Sequence, residues 1–202
     1  RYLDWHSNIE TATLELEAKR ALLERILVAY PGEFSWIIDW ANKLAYSERI
    51  QLKNYWRGGA TLIKKHEIPG AYTLTGKAAI DALLESMETI SLEASGFDEF
   101  DDSTADAEAL AYIEALAQFR DDYYNEYLKQ WETFLLNFGD GAQVLANQDD
   151  WQGFVENLRN AKNPFFLLLT DANNQLIDFV GGDYEPDWLY LIDYYNQVLA
   201  LL

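Results

Sequence analysis

The 202-residue sequence carries 34 acidic against 15 basic side chains, and its net charge of −19 repels phosphate backbones and anionic lipid headgroups. Cysteine is absent, which excludes disulfides, thiolate nucleophiles and Cys-based metal sites. Half of the residues are apolar, with seven Trp, thirteen Tyr and ten Phe, so a folded core is expected, and no run of about 18 apolar residues marks a membrane span. Beginning at Arg1 without a methionine, the chain reads as a soluble piece of something longer.

From Leu3 to Tyr30, Leu14, Leu16, Leu22, Leu23, Ile26 and Leu27 recur at helical spacings among charges, and Pro31-Gly32 stops the pattern. A second helix is expected over Glu33 to Tyr46, with Phe34, Ile37, Ile38, Ala41 and Leu44 on one face and Trp36 and Trp40 thickening it. Periodicity fails between Ser47 and Thr75, where Gly58-Gly59 and Pro69-Gly70 interrupt the chain, although Arg49 to Trp56 suits a short helix or strand. Helical spacing returns from Gly76 to about Ala94 through Ile80, Leu83, Leu84, Met87 and Ile90. Residues 96–108, GFDEFDDSTADAE, are acidic without a basic residue and read as a solvated loop leading to a helix N-cap.

The longest pattern runs from Ala105 to Phe138, where Phe119, Tyr123, Tyr127, Trp131 and Leu135 repeat every four residues, and Gly139-Asp140-Gly141 ends it. Shorter helices are expected at Gln143–Asn147, Asp149–Ala161, Pro164–Asn173 and Pro186–Leu202, the last two with proline in the first turn. The class is all-α: an elongated multi-helix bundle with one long central helix and an irregular connection around 47–75. Its expected parts are an N-terminal helical subdomain (1–95), the acidic loop (96–108) and a C-terminal helical subdomain (109–202), with one continuous helical domain as the alternative.

The stretch GAYTLTGKA, residues 70–78, has the outline of a phosphate-binding loop. That loop requires four residues between its glycines and a hydroxyl after the lysine, because backbone N–H groups wrap the phosphates and the hydroxyl ligates magnesium. Here five residues separate Gly70 from Gly76, and Ala78 follows Lys77. Each residue is better explained by a turn and a cap. Ile68-Pro69-Gly70-Ala71 fits a type II turn with Gly70 at positive φ. Thr73 or Thr75 then caps the helix that follows, and Tyr72 packs on its first turn. No nucleotide or other cofactor is expected.

Other chemistry has less support. His6 and His66 are the only histidines and have no HxxxH companion, so no metal site is expected. The acidic run lacks EF-hand spacing, and no G-x-S-x-G elbow is present. A glycosidase pair of carboxylates among so many acids, with tryptophans for sugar stacking, is the alternative from a different class. Against it, Trp36, Trp40, Trp131, Trp151 and Trp188 lie on apolar helical stripes that suit core packing. An acidic adaptor for a basic partner is a third reading.

Three ordered blocks carry a family resemblance. Ile68, Pro69, Gly70, Tyr72, Thr73 and Gly76 form a Pro-Gly, aromatic, Thr, x, x, Gly pattern opening a helix. Tyr124, Glu126, Tyr127 and Trp131 follow on the long helix, and Leu158, Asn163, Pro164, Leu167 and Leu168 make the third block. Over about residues 50–176 the chain resembles the periplasmic helical region of the IcmF/TssM family, the inner-membrane scaffold of type VI secretion systems. The resemblance implies a non-catalytic scaffold segment in the periplasmic portion of a bacterial inner-membrane protein. Its implied partners are other subunits of the secretion membrane complex or further copies of itself, with no nucleic acid and no membrane insertion by this segment. The family-motif residues it implies are Pro69, Gly70, Tyr72, Thr73, Gly76, Tyr127, Trp131, Asn163 and Pro164.

Overall fold

The computed structural model describes residues 33–95, 103–160 and 162–199. The expected helix from Leu3 to Tyr30 and its Pro31-Gly32 stop, His6, and the acidic residues 96–102 lie outside the described residues. Within them the protein is all-α, in the order α1 (Ser35–Leu44), α2 (Leu74–Ser95), α3 (Ser103–Leu136), α4 (Gln148–Asn157), α5 (Pro164–Leu176) and α6 (Tyr190–Leu199). Between α1 and α2, β1 (Ile50–Gln51) pairs antiparallel with β2 (Glu67–Ile68), Ile50 opposite Ile68. Two paired residues per strand make a minimal two-stranded sheet that pins that irregular connection. No described helix is long and apolar enough to cross a membrane.

The chain divides into two compact units, each drawn from separate stretches of sequence. The described part of the first is residues 33–38, 81–95 and 103–120; that of the second is 39–80, 121–160 and 162–199. In the first, Phe34, Leu84, Met87 and Leu116 are buried, and the Phe34 ring meets Tyr112 and Phe119 with centroids 5.8 and 5.5 Å away. Arg120 pairs with Glu88 at 2.9 Å across that core's edge. The Tyr112 hydroxyl is buried without a hydrogen-bond partner, and burial alone pushes its pKa up to about 12. In the second unit the fully buried side chains include Tyr127, Trp131 and Phe134 of α3 and Leu52, Ile68, Leu176, Leu189 and Ile192.

Several expectations are corrected. On α1, Leu44 and Trp40 are exposed, because the buried stripe repeats every four residues through Ile37, Ala41 and Ala45, which leaves positions 40 and 44 beside it. The long helix begins at Ser103, so residues 103–108 are its first turns rather than loop. It ends at Leu136, and the Gly139-Asp140-Gly141 stretch lies inside a 3-10 turn, Phe138–Val144, which takes the place of the helix expected at Gln143–Asn147. Pro164 does open α5, which runs three residues beyond its expected end at Asn173. Pro186 stands outside α6, preceding a 3-10 turn at Asp187–Leu189 in extended geometry (φ −80°, ψ 154°).

Candidate functional site

Most of the motif residues meet at one turn in the second unit. Pro69, at φ −61° and ψ 155°, feeds a 3-10 turn over Gly70–Tyr72, in which Tyr72 N donates to Pro69 O at 2.9 Å. The expected type II turn is therefore absent, and Gly70 does not take positive φ; among the described residues only Gly181 does, at 73°. Glycine is required at 70 for a different reason. A Cβ there would stand 2.3 Å from Ala45 O, and one at Gly76 would stand 2.1 Å from Gly70 O. Both glycines let backbone lie against backbone.

Thr73 caps α2 as expected. Its backbone is extended, its hydroxyl donates to Gly70 O at 2.7 Å, and it accepts a long bond from Gly76 N at 3.4 Å. The ring contacts of Tyr72 are with α3. Its ring stacks on Tyr123 of α3, centroids 5.9 Å apart, and meets the edge of Tyr127 at 6.5 Å. Burial, then the nearby Glu126 carboxylate, raises its pKa.

Three helices reach into this turn with polar atoms. From α1, Asn42 Oδ1 accepts from Ala71 N at 2.9 Å. From α3, the Tyr123 hydroxyl donates to Ala71 O at 2.7 Å and Trp131 Nε1 donates to Tyr72 O at 3.1 Å. From α5, Gln175 Oε1 accepts from Leu74 N, while Gln175 O accepts from the Tyr127 hydroxyl at 2.9 Å. Buried main-chain groups thus find partners. Asn42, Tyr123 and Gln175 stand outside the motif set. Tyr123 lies on the four-residue aromatic stripe, but a polar residue within a helix, as at 42 and 175, gives no periodic signal.

The same bonds occupy the amides that a phosphate loop would present. Leu74 N, Gly76 N and Lys77 N all donate to acceptors of this chain. Lys77 is buried, with Nζ 3.1 Å from Asp178 and lying over the Tyr124 and Phe179 rings at 5.2 and 5.7 Å. Asn163 and Pro164 do a separate job as N-cap and first residue of α5: buried Asn163 accepts from Phe165 N at 2.9 Å and donates to Leu158 O at 3.0 Å.

A cleft of ≈ 410 Å³ also lies in the second unit, lined by residues 55–58, by α4 and by the start of α5. Trp56 is buried against it, stacked on Phe154 at 5.5 Å and 19°, with Phe138 and Phe165 at 5.4 and 5.7 Å. Its ring is fixed further by Gly141, where a Cβ would stand 2.0 Å from the indole. Gly58 lies so close to Val144 O that a Cβ would be 2.1 Å away, and Ala60 N donates to that same oxygen at 3.1 Å. Asp150 holds the wall from the other side. Its Oδ2 accepts from Gly59 N at 3.1 Å and Ala146 N at 3.0 Å, and those bonds, Gly59 first, lower its pKa.

The tryptophan and carboxylate expectations can be placed accordingly. Trp131 is fully buried and Trp56, outside the apolar stripes, is buried too, but Trp151 is 49% exposed and Trp40 37%. The Asp150 carboxylate is taken up by the Gly59 and Ala146 amides, and Asp149 is the cleft's other carboxylate. His66 Nε2 lies 3.0 Å from Asp140 Oδ2, which Lys64 Nζ also contacts at 3.1 Å; Lys64 leads the causes that hold the Asp140 carboxyl below its ordinary range. That carboxylate already carries a cation, and among the described residues no cluster of three His, Asp or Glu side chains suits a metal. No family model matches this chain, and neither a curated protein nor a solved structure matches it.

Proposed function

We propose that this chain is a non-catalytic scaffold segment that works by helix packing and subunit contact, in the manner implied by its resemblance to the periplasmic region of the IcmF/TssM family. One observation carries the reading. The hydroxyls of Tyr123 and Tyr127, the Trp131 indole and the Asn42 and Gln175 side chains all bond main-chain atoms at the turn or beside it, not a cleft. Residues with these roles fix the geometry of a rigid segment. Exposed Trp40, Trp151, Tyr190 and Tyr194 are its contact anchors, since interface cores favour Trp and Tyr. The net charge of −19 keeps such a segment apart from anionic lipid and sets the sign of a basic partner's approach.

The test is co-purification of the full-length parent with its envelope partners, with this segment intact and with it removed. Loss of partners on removal supports the scaffold role; an unchanged assembly overturns it.

A further inference from the structure

We infer that the cleft between Trp56 and the start of α5 binds an amino-acid-like ligand: a carboxylate, an adjacent nitrogen carrying hydrogen, and a planar apolar side chain. The inference stands on the cleft and does not rest on the scaffold reading. Its volume of ≈ 410 Å³ falls within the roughly 300–1,000 Å³ of small-ligand pockets. The apolar wall is the half-buried Phe154 ring, which is held by stacking on buried Trp56, itself wedged against Phe138, Phe165 and Gly141, so a flat group meets Phe154 without first ordering it.

Charge supplies the rest. Arg57 and Lys162 line the cleft and make no ion pair among the described residues, in a chain with 34 carboxylates to offer. Both side chains are exposed, and their donors suit a ligand carboxylate. Of the two aspartates on the cleft, Asp150 is occupied by Gly59 N and Ala146 N. Asp149 has no hydrogen-bonded partner among the described residues and is available to an ammonium or amide N–H. Two uncommitted cations and one uncommitted carboxylate around a fixed aromatic wall match a free aromatic amino acid or the carboxy-terminal residue of a peptide.

Isothermal titration of the full chain with three probes tests this: L-phenylalanine, N-acetyl-L-phenylalanine and L-phenylalaninamide. At least one of the two carboxylate probes is expected to bind saturably at one site, with the amide weaker by roughly tenfold or more, the effect of losing a hydrogen bond between charged groups. Tighter L-phenylalanine identifies a free amino acid as the source, tighter N-acetyl-L-phenylalanine a peptide carboxy terminus, and equal affinities leave the carboxylate and ring as the determinants. The double variant Arg57→Gln with Lys162→Gln changes exposed side chains only, keeps its circular dichroism spectrum, and brings the carboxylate probes down to the amide's level. No saturable binding of either carboxylate probe, an amide that binds equally well, or an unaffected double variant each overturns the proposal.

Discussion

Two glycine-bearing stretches of the same irregular connection, Arg57–Ala60 and Ile68–Gly76, end in opposite states. Both bring backbone against backbone at distances that leave no room for a Cβ, Gly58 on Val144 O and Gly70 on Ala45 O. The second is then sealed by side chains from α1, α3 and α5, and Lys77 at its end is buried beside Asp178. The first is held by one carboxylate, Asp150, and one main-chain bond, and leaves Arg57 exposed beside an open cleft. Glycine sets the close approach in both. Whether a loop becomes core or site is decided by which side chains the neighbouring helices send to it.

The difference is broken most severely at Trp131. Trp131→Ala removes a fully buried indole together with its bond to Tyr72 O, and the cost expected is about 3–5 kcal/mol in urea denaturation. Trp151→Ala, at a half-exposed position on α4, is expected to stay within about 0.5 kcal/mol. Equal costs at the two positions would remove the distinction between the sealed turn and the surface beside the cleft.

Gly70→Ala comes next, at about 1–3 kcal/mol, because the added methyl meets the main-chain oxygen of Ala45, which Glu48 N already bonds at 3.0 Å. The sign separates two explanations of that glycine. A positive-φ role predicts that asparagine, which tolerates the left-handed region, rescues the site; close approach predicts that Gly70→Asn is worse than Gly70→Ala. Denaturation midpoints of the two variants decide it.

What the sequence made legible follows from this physics. The α3 stripe of Tyr123, Tyr127 and Trp131 was readable because a helix buried on one side repeats its apolar residues near every fourth position. Thr73 as a cap and Pro164 as the first residue of α5 were readable because both follow local backbone rules. The type II turn was the same kind of local inference and failed, since packing against Ala45 O overrode the preference that Pro-Gly carries alone. Trp56 gave no signal because it lies in an aperiodic stretch, and its wall is assembled from Phe154, Phe138 and Phe165, about 80 to 110 residues further along the chain. Asn42 and Gln175 were silent for the same reason: a helix presents a polar side chain alike whether it meets water or a distant main-chain N–H.

A smaller effect is expected at Tyr127. Tyr127→Phe keeps the ring between Tyr72 and Phe179 and deletes only the donor to Gln175 O, costing about 1 kcal/mol. Because Gln175 also accepts from Leu74 N, the loosening reaches the start of α2, and faster amide exchange at Leu74 is the accompanying sign. Exchange unchanged at Leu74 would mean that the two bonds of Gln175 act separately.

The smallest effect belongs to Asp150 and is read by pH. Its carboxyl titrates below the ordinary 3.8 when folded, because Gly59 N, and then Ala146 N, bond the ionised form. A depressed folded pKa stabilises fully above the unfolded value, and that contribution is lost as pH falls through the folded value. Protection of the Gly59 and Ala146 amides, relative to the Asp150→Asn variant, is therefore full above about pH 4 and falls away only as the pH drops further below it. Asp140, held low by Lys64 and His66, titrates in the same direction, and the acid slope that survives in the variant includes its share. The sealed turn supplies the internal control: Ala71 N bonds the neutral amide of Asn42, so its protection carries no carboxylate slope of its own. Parallel loss at Ala71 and Gly59 on acidification would show that the two stretches open together and that the wall of the cleft is no more independent than the core.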